Sequence, residues 1–196
     1  MRDYPPIPSD EPLPFAANFA GDGSVWSGPA LHPEAVARFD ALLHELNPDA
    51  LRVDANRIRN LCAWLASLPP ESAQDVLDRR LRRLETLRSM LADCGWDTDS
   101  ASCERLRKMF AYIDQGDDLI PDDEPLIGKL DDVLLIELAW PAFATEADDY
   151  RDFCAFRTDE RPEGDGDEQR AATFGNRPIH RVEAVKEDPP ALFDGR

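Results

Sequence analysis

The chain is poor in the residue types that usually carry chemistry. Its four cysteines, Cys62, Cys94, Cys103 and Cys154, form neither a CxxC pair nor a dense framework. In 196 residues they read as free thiols of a reducing compartment, and none sits in a local nucleophile signature. The three histidines, His32, His44 and His180, show no HExxH or HxxxH spacing, so each reads as a surface or helix-end residue rather than a ligand. No GxSxG, Walker loop or GxGxxG occurs. The segment from Gly21 to Gly28 resembles a glycine loop only in composition, because no phosphate-cradling helix start follows it. The opening Met1–Pro6 lacks the apolar stretch of a signal peptide. The longest near-apolar run, Val133 to Phe143, is interrupted by Glu137 and Pro141 and falls short of the ~18–20 residues that span a bilayer.

Positive charge is scarce as well. Forty carboxylates face 22 basic residues, for a net charge of −18. Binding to nucleic-acid backbone, where Lys and Arg must displace counterions, is excluded on that balance. The same balance argues against docking on an anionic membrane surface. A basic protein partner, steered in by the field, fits it. The excess is uneven: residues 1–50 carry −6, residues 51–111 carry +2 and residues 112–196 carry −14. The simplest assignment is a bacterial-type cytoplasmic protein.

What is present is helical periodicity. The length suits one domain with extensions. Residues 1–30, rich in Pro and Gly, read as an extended arm that Phe15, Phe19 and Trp26 could anchor. A first helix begins at Pro33 and repeats Val36, Phe39, Leu42, Leu43 and Leu46 on one face. Asn47-Pro48 reads as cap and first residue of a second helix burying Leu51, Ile58, Leu61, Trp64, Leu65 and Leu68, up to Pro69-Pro70. A third starts near Ser72, with Ser72 and Asp75 spaced as a capping box and Gly95 closing it. A fourth starts within Asp97–Ser102 and ends at Gly116. Two more cover about Lys129–Trp140 and Glu146–Arg157. No segment before residue 158 reads as a strand. The expected fold is all-α: one bundle-like domain of about six helices over residues 31–157. Residues 158–196 form an acidic tail, partly disordered or docked, in which Phe174, Ile179, Val182 and Val185 restore some apolar character.

The densest feature is the motif 117–141, where Asp117, Asp118, Asp122, Asp123, Glu124, Asp131 and Asp132 place seven carboxylates within sixteen residues. Hard oxygen ligands at that density could hold Mg²⁺ or Ca²⁺, with Asp118, Asp122, Asp131 and Asp132 as the candidate set. The favoured reading is structural, since no EF-hand spacing is present. Pro121 and Pro125 fix a turn, Gly128 lies near the helix start, and Asp131, at the third helical position, reaches back to a free amide. Asp132 gains from the helix dipole. Asp122, Asp123 and Glu124 have no such structural need and are candidate partner-binding residues.

The order Asp118-Leu-Ile-Pro-Asp122, Pro125, Gly128 and Leu130-Asp131-Asp132, followed by an aliphatic run, resembles the signature of the YkvA-like family of small bacterial helical domains. The likeness covers roughly residues 107–140. It implies a fold element rather than a reaction, the family having no established activity. Many of its members look membrane-associated. This chain departs from them in Asp123-Glu124, where apolar residues are common, and in Glu137 within the aliphatic helix, and both departures weaken a membrane role.

Two further features complete the reading. Glu137, flanked by Ile136 and Leu138, is expected at a solvated helix edge; if buried, an arginine is its natural neutraliser. The cluster Arg79-Arg80-Leu81-Arg82-Arg83 reads as a solvated or internally paired face, with Asp75–Arg79 and Asp78–Arg82 at favourable helical spacing. Together these point to a non-enzymatic protein-binding or regulatory factor, of antitoxin or immunity type. A metal-dependent hydrolase is the alternative, and peripheral membrane association the weaker one.

Overall fold

The computed structural model describes residues 12–16, 28, 30–115, 119–121 and 123–175. Seven α-helices account for most of them, and no strand occurs among the described residues. The all-α expectation holds. Six helices fall between Pro33 and Glu160, and a seventh follows.

Helix α1 (Pro33–Leu46) starts at its proline and buries Val36, Phe39, Leu43 and Leu46, as the periodicity predicts. The next junction differs from expectation. Asn47 is the C-cap of α1, and its side-chain amide donates to the Leu138 carbonyl at 2.7 Å, ninety-one positions away. Helix α2 (Ala55–Ser67) starts instead at Asp54, whose carboxylate accepts the amides of Asn56 and Arg57. Residues 48–53 are therefore a connection, and Leu51 is 47% exposed rather than buried. Asp40 holds that connection by accepting from the Val53 amide and the Arg52 guanidinium, both at 2.8 Å.

Helix α3 (Pro70–Ala92) starts two residues before Ser72 because Pro70 takes the first helical position; no side-chain cap forms, so the Ser72–Asp75 box is not made. Its end is capped at Asp93, not Gly95. Helix α4 (Ser100–Ile113) is capped by Asp99 and closes at Asp114, short of Gly116. Helix α5 (Leu130–Ala139) buries eight of its ten residues, which makes it the central element. It packs on α3 and α1, and α1 packs on α4. A 3-10 turn, Trp140–Ala142, falls at Pro141, which cannot continue the ladder. Helix α6 (Ala144–Glu160) then packs on α3.

The first part of the acidic tail is helical and docked on the body. Helix α7 (Gly166–Phe174) opens with a reciprocal capping box between Asp165 and Glu168 and packs on α6. Its N-terminus meets the α3–α4 connection backbone to backbone. A Cβ on Gly166 would lie 2.6 Å from the Gly95 oxygen, so this approach requires glycine. Arg170, only 5% exposed, donates to the Gly95 carbonyl and to Asp167. Phe174 stacks edge-on to Trp96, which also meets Tyr150 and Phe153. Residues 176–196, including Ile179, Val182 and Val185, lie outside the described residues.

In the N-terminal arm, Phe15 anchors as expected. It is 4% exposed in a 3-10 turn, Pro14–Ala16, packed on α2, with the Arg57 guanidinium 5.6 Å from its ring centre. Phe19 and Trp26 lie outside the described residues.

Candidate functional site

The motif divides into a buried part and an exposed part. Lys129 is the N-cap of α5, so Asp131 is the second helical residue and Asp132 the third, one position earlier than the spacing from Gly128 suggests. Asp131 is 1% exposed. Its Oδ2 accepts the amides of Leu119 at 2.9 Å and Ile120 at 3.1 Å, and the Tyr112 hydroxyl at 3.1 Å. One carboxylate thus ties the chain before Pro121 and the end of α4 to the start of α5. Burial raises its pKa, and the bonds from Ile120 and Tyr112 oppose that only in part. Asp132, 8% exposed, is buried beside it.

Between these ends the turn is bonded through its backbone. The Glu124 amide donates to the Pro121 carbonyl at 3.0 Å, Ile127 to Pro125 at 2.9 Å and Gly128 to Glu124 at 3.0 Å. Pro121 and Pro125 therefore do the structural work expected of them. Gly128 is buried without a positive φ, whereas Leu126 takes φ 69°, a region a bulky L-residue seldom enters. Asp123 is exposed and Glu124 half-buried. No hydrogen bond or ion pair joins either carboxylate to another described residue. Asp118 and Asp122 lie outside the described residues. Among the described residues no three His, Cys, Asp or Glu side chains gather as a metal cage.

Glu137, expected at a solvated edge, is instead half-buried and paired with arginines. Its side chain is 11% exposed; Arg80 Nε lies 3.2 Å and Arg83 Nη1 2.7 Å from Oε2. Oε1 accepts the Leu13 amide at 3.1 Å. The arginine cluster is thus paired in part within the fold: Arg80 and Arg83 on Glu137, and Arg79 on Asp75. The Arg83 guanidinium also lies 5.0 Å from the centre of the Trp140 ring.

All four cysteines are free. Cys62 is buried, and that burial together with the nearby Asp131 pushes its pKa up to about 12, far from a reactive thiolate. Near the α3–α4 connection, burial alone would raise Asp93, but hydrogen bonds from Arg157, the Gly95 amide and Tyr150 hold it below the usual carboxylate range. Glu146 is raised by burial and by Asp99.

The sequence reading missed Tyr112, the hydroxyl anchor of Asp131. A tyrosine on the otherwise apolar face of α4, eight residues before the Ile-Pro of the motif, was the available signal. Comparison with family models, with curated proteins and with solved structures returned no match to this chain.

Proposed function

We propose that the chain is a non-enzymatic, protein-binding regulatory factor of antitoxin or immunity type, contacting its partner through the corner at Asp122, Asp123 and Glu124. The observation that carries this reading is the division of the motif. The fold consumes Asp131 in holding three segments together, whereas Asp123 and Glu124 stand on a backbone-bonded turn without described side-chain partners. Charges with no folding role on a rigid corner suit recognition of a basic surface, for which complementarity sets on-rate and specificity. Membership in the YkvA-like family and a cytoplasmic location belong to the same proposal. No helix among the described residues is long and apolar enough to cross a membrane, and α5, with ten residues, is packed inside the bundle.

The test is a capture experiment on the full chain and an Asp123→Asn/Glu124→Gln variant. A partner retained by the wild type and lost by the variant, with both melting alike, supports the reading. Equal capture, or none, removes it.

A second reading, a divalent-metal protein or metal-dependent hydrolase using Asp118, Asp122, Asp131 and Asp132, draws on one observation. Asp131 Oδ1 is buried and meets no donor among the described residues. A ligand that binds only the native state raises its melting temperature. A rise with millimolar Mg²⁺, Mn²⁺ or Ca²⁺ that vanishes in Asp131→Asn supports this reading, and no rise, or an equal one, discards it.

A further inference from the structure

Helices α1 and α4 run antiparallel. Glu45 bonds Lys108, Arg105 reaches the Leu46 carbonyl, and Phe39 meets the Tyr112 ring edge-on at 5.6 Å. Along this seam lies an open groove of ≈ 350 Å³, lined on α1 by Ala35, Arg38 and Leu42 and on α4 by Lys108, Ala111 and Tyr112, with Gln115 and Leu119 beyond the end of α4. We propose that this groove binds a small amphipathic organic anion. Its apolar body lies against Ala35, Leu42, Ala111 and Leu119, and its carboxylate or equivalent head meets Arg38.

Size selects the class of occupant. On α1 the lining runs from Ala35 to Leu42, seven residue steps or about 10 Å at the α-helical rise, and on α4 it is shorter. That is too short to supply the ~800 Å² per partner of a standard protein interface. The volume falls within the ~300–1,000 Å³ of small-molecule sites, which are likewise mostly apolar with a few fixed polar groups. Small residues open the walls, and the floor is preformed, because the Tyr112 hydroxyl and the Leu119 amide are both bonded to Asp131 Oδ2.

Charge selects the sign. Lys108 is held by Glu45 at 2.9 Å and Glu104 at 3.3 Å, and those carboxylates would repel an anion at that end. Arg38 makes no ion pair or hydrogen bond with another described residue. Gln115, just past the end of α4 with its amide on the Tyr112 carbonyl at 3.1 Å, also lines the groove and supplies a second donor beyond Tyr112, which faces Phe39 beside Arg38. A cationic or neutral ligand of the same shape gains nothing from Arg38. This site is separate from the Asp123–Glu124 corner and stands whether or not that corner binds a protein.

The test uses three probes of one length, octanoate, 1-octanol and octylammonium, titrated at neutral pH into the ¹⁵N-labelled full chain. Octanoate is expected to bind saturably, with shifts confined to residues 35–42, 108–115 and 119, more tightly than octanol and far more tightly than octylammonium. Arg38→Met, which keeps the stem and removes the charge, is expected to weaken octanoate about tenfold and to abolish its advantage over octanol. Ala111→Leu fills the groove, keeps Arg38 and should weaken all binding. A non-saturating response, equal responses to the three probes, or an Arg38→Met variant that still prefers octanoate overturns the proposal. Binding that appears only in Asp117→Asn/Asp118→Asn also overturns it, because the chain's own carboxylates would then be the native occupant.

Discussion

Two carboxylates at opposite ends of helix α5, Asp131 and Glu137, are held away from bulk water by opposite means. Near its start, Asp131 is surrounded by neutral donors: two backbone amides and a phenol converge on one oxygen. Near its end, Glu137 is surrounded by cations, with Arg80 and Arg83 on one oxygen and the Leu13 amide on the other. Neutral dipoles do not fully replace water around an anion, and the pKa of Asp131 is accordingly raised. Two guanidinium groups supply full countercharge, but each is itself buried and depends on the acid in return. One arrangement therefore leaves a group poised to take up a proton. The other creates mutual dependence between α3, α5 and the N-terminal arm.

The largest effect should follow from breaking the ionic arrangement. Glu137→Ala removes the carboxylate that two arginines share and is expected to cost about 3–5 kcal/mol by urea denaturation. The combined Arg80→Met/Arg83→Met/Glu137→Leu variant should recover most of that loss, because apolar replacement of a buried ionic cluster is often neutral. A loss below about 1 kcal/mol in Glu137→Ala would show the cluster to be solvated, and the contrast with Asp131 would collapse.

Asp131→Asn should cost less, about 1–3 kcal/mol at pH 4.5, since one acceptor remains for the two amides. Its signature is pH dependence. With its folded pKa raised, Asp131 binds more protons in the native than in the unfolded chain between 3.8 and the folded value. Its contribution is complete below the unfolded pKa and lost as pH rises through the folded one. The wild type should therefore lose stability from about pH 4 upward, a decline shared with Glu146, which is raised too. In Asp131→Asn that decline should flatten, so the penalty shrinks toward neutral pH. Denaturation between pH 4.5 and 8 checks it; parallel curves for the two proteins would refute the assignment.

The elements of this contrast were unequally legible in the sequence. Apolar periodicity is local, and it placed six helices, the proline starting α1 and the break at Pro141. Caps are decided by competition that can be settled far away. Asn47 looks like an N-cap beside Pro48, yet the Leu138 carbonyl claims its side chain, and Asp54 caps α2 instead. Glu137 looks like an edge residue because its neutralising arginines lie 54 and 57 positions earlier. Helix α7 was hidden because acidic composition argues against burial. It is held by a Gly95–Gly166 approach, by Arg170 and by the Trp96–Phe174 contact, none of which a local window contains. The motif was the reverse case. Its prolines and paired aspartates identify a turn entering a helix, but not that Asp131 takes the Tyr112 hydroxyl and the amides of Leu119 and Ile120.

Tyr112→Phe sharpens the comparison on the neutral side. It removes one of the donors to Asp131 Oδ2 and leaves the ring against Phe39. The expected loss is about 1 kcal/mol. With less stabilisation of the anion the Asp131 pKa should rise further, so the fall in stability with pH should become steeper than in the wild type. A loss with unchanged pH dependence would mean that the hydroxyl serves packing alone.

The smallest effect is predicted for the exposed end of the same motif. Asp123→Asn/Glu124→Gln removes two carboxylates with no described side-chain partner, and its stability should stay within about 0.5 kcal/mol of the wild type. That near-silence is what separates the two ends of the motif, and it makes this variant the right instrument for the capture experiment. A loss above about 1 kcal/mol would place the corner among the groups that hold the fold. Selective loss of partner capture could then no longer be attributed to recognition. With stability preserved, any change in binding reports on the surface itself, because the buried carboxylate that anchors the turn is untouched.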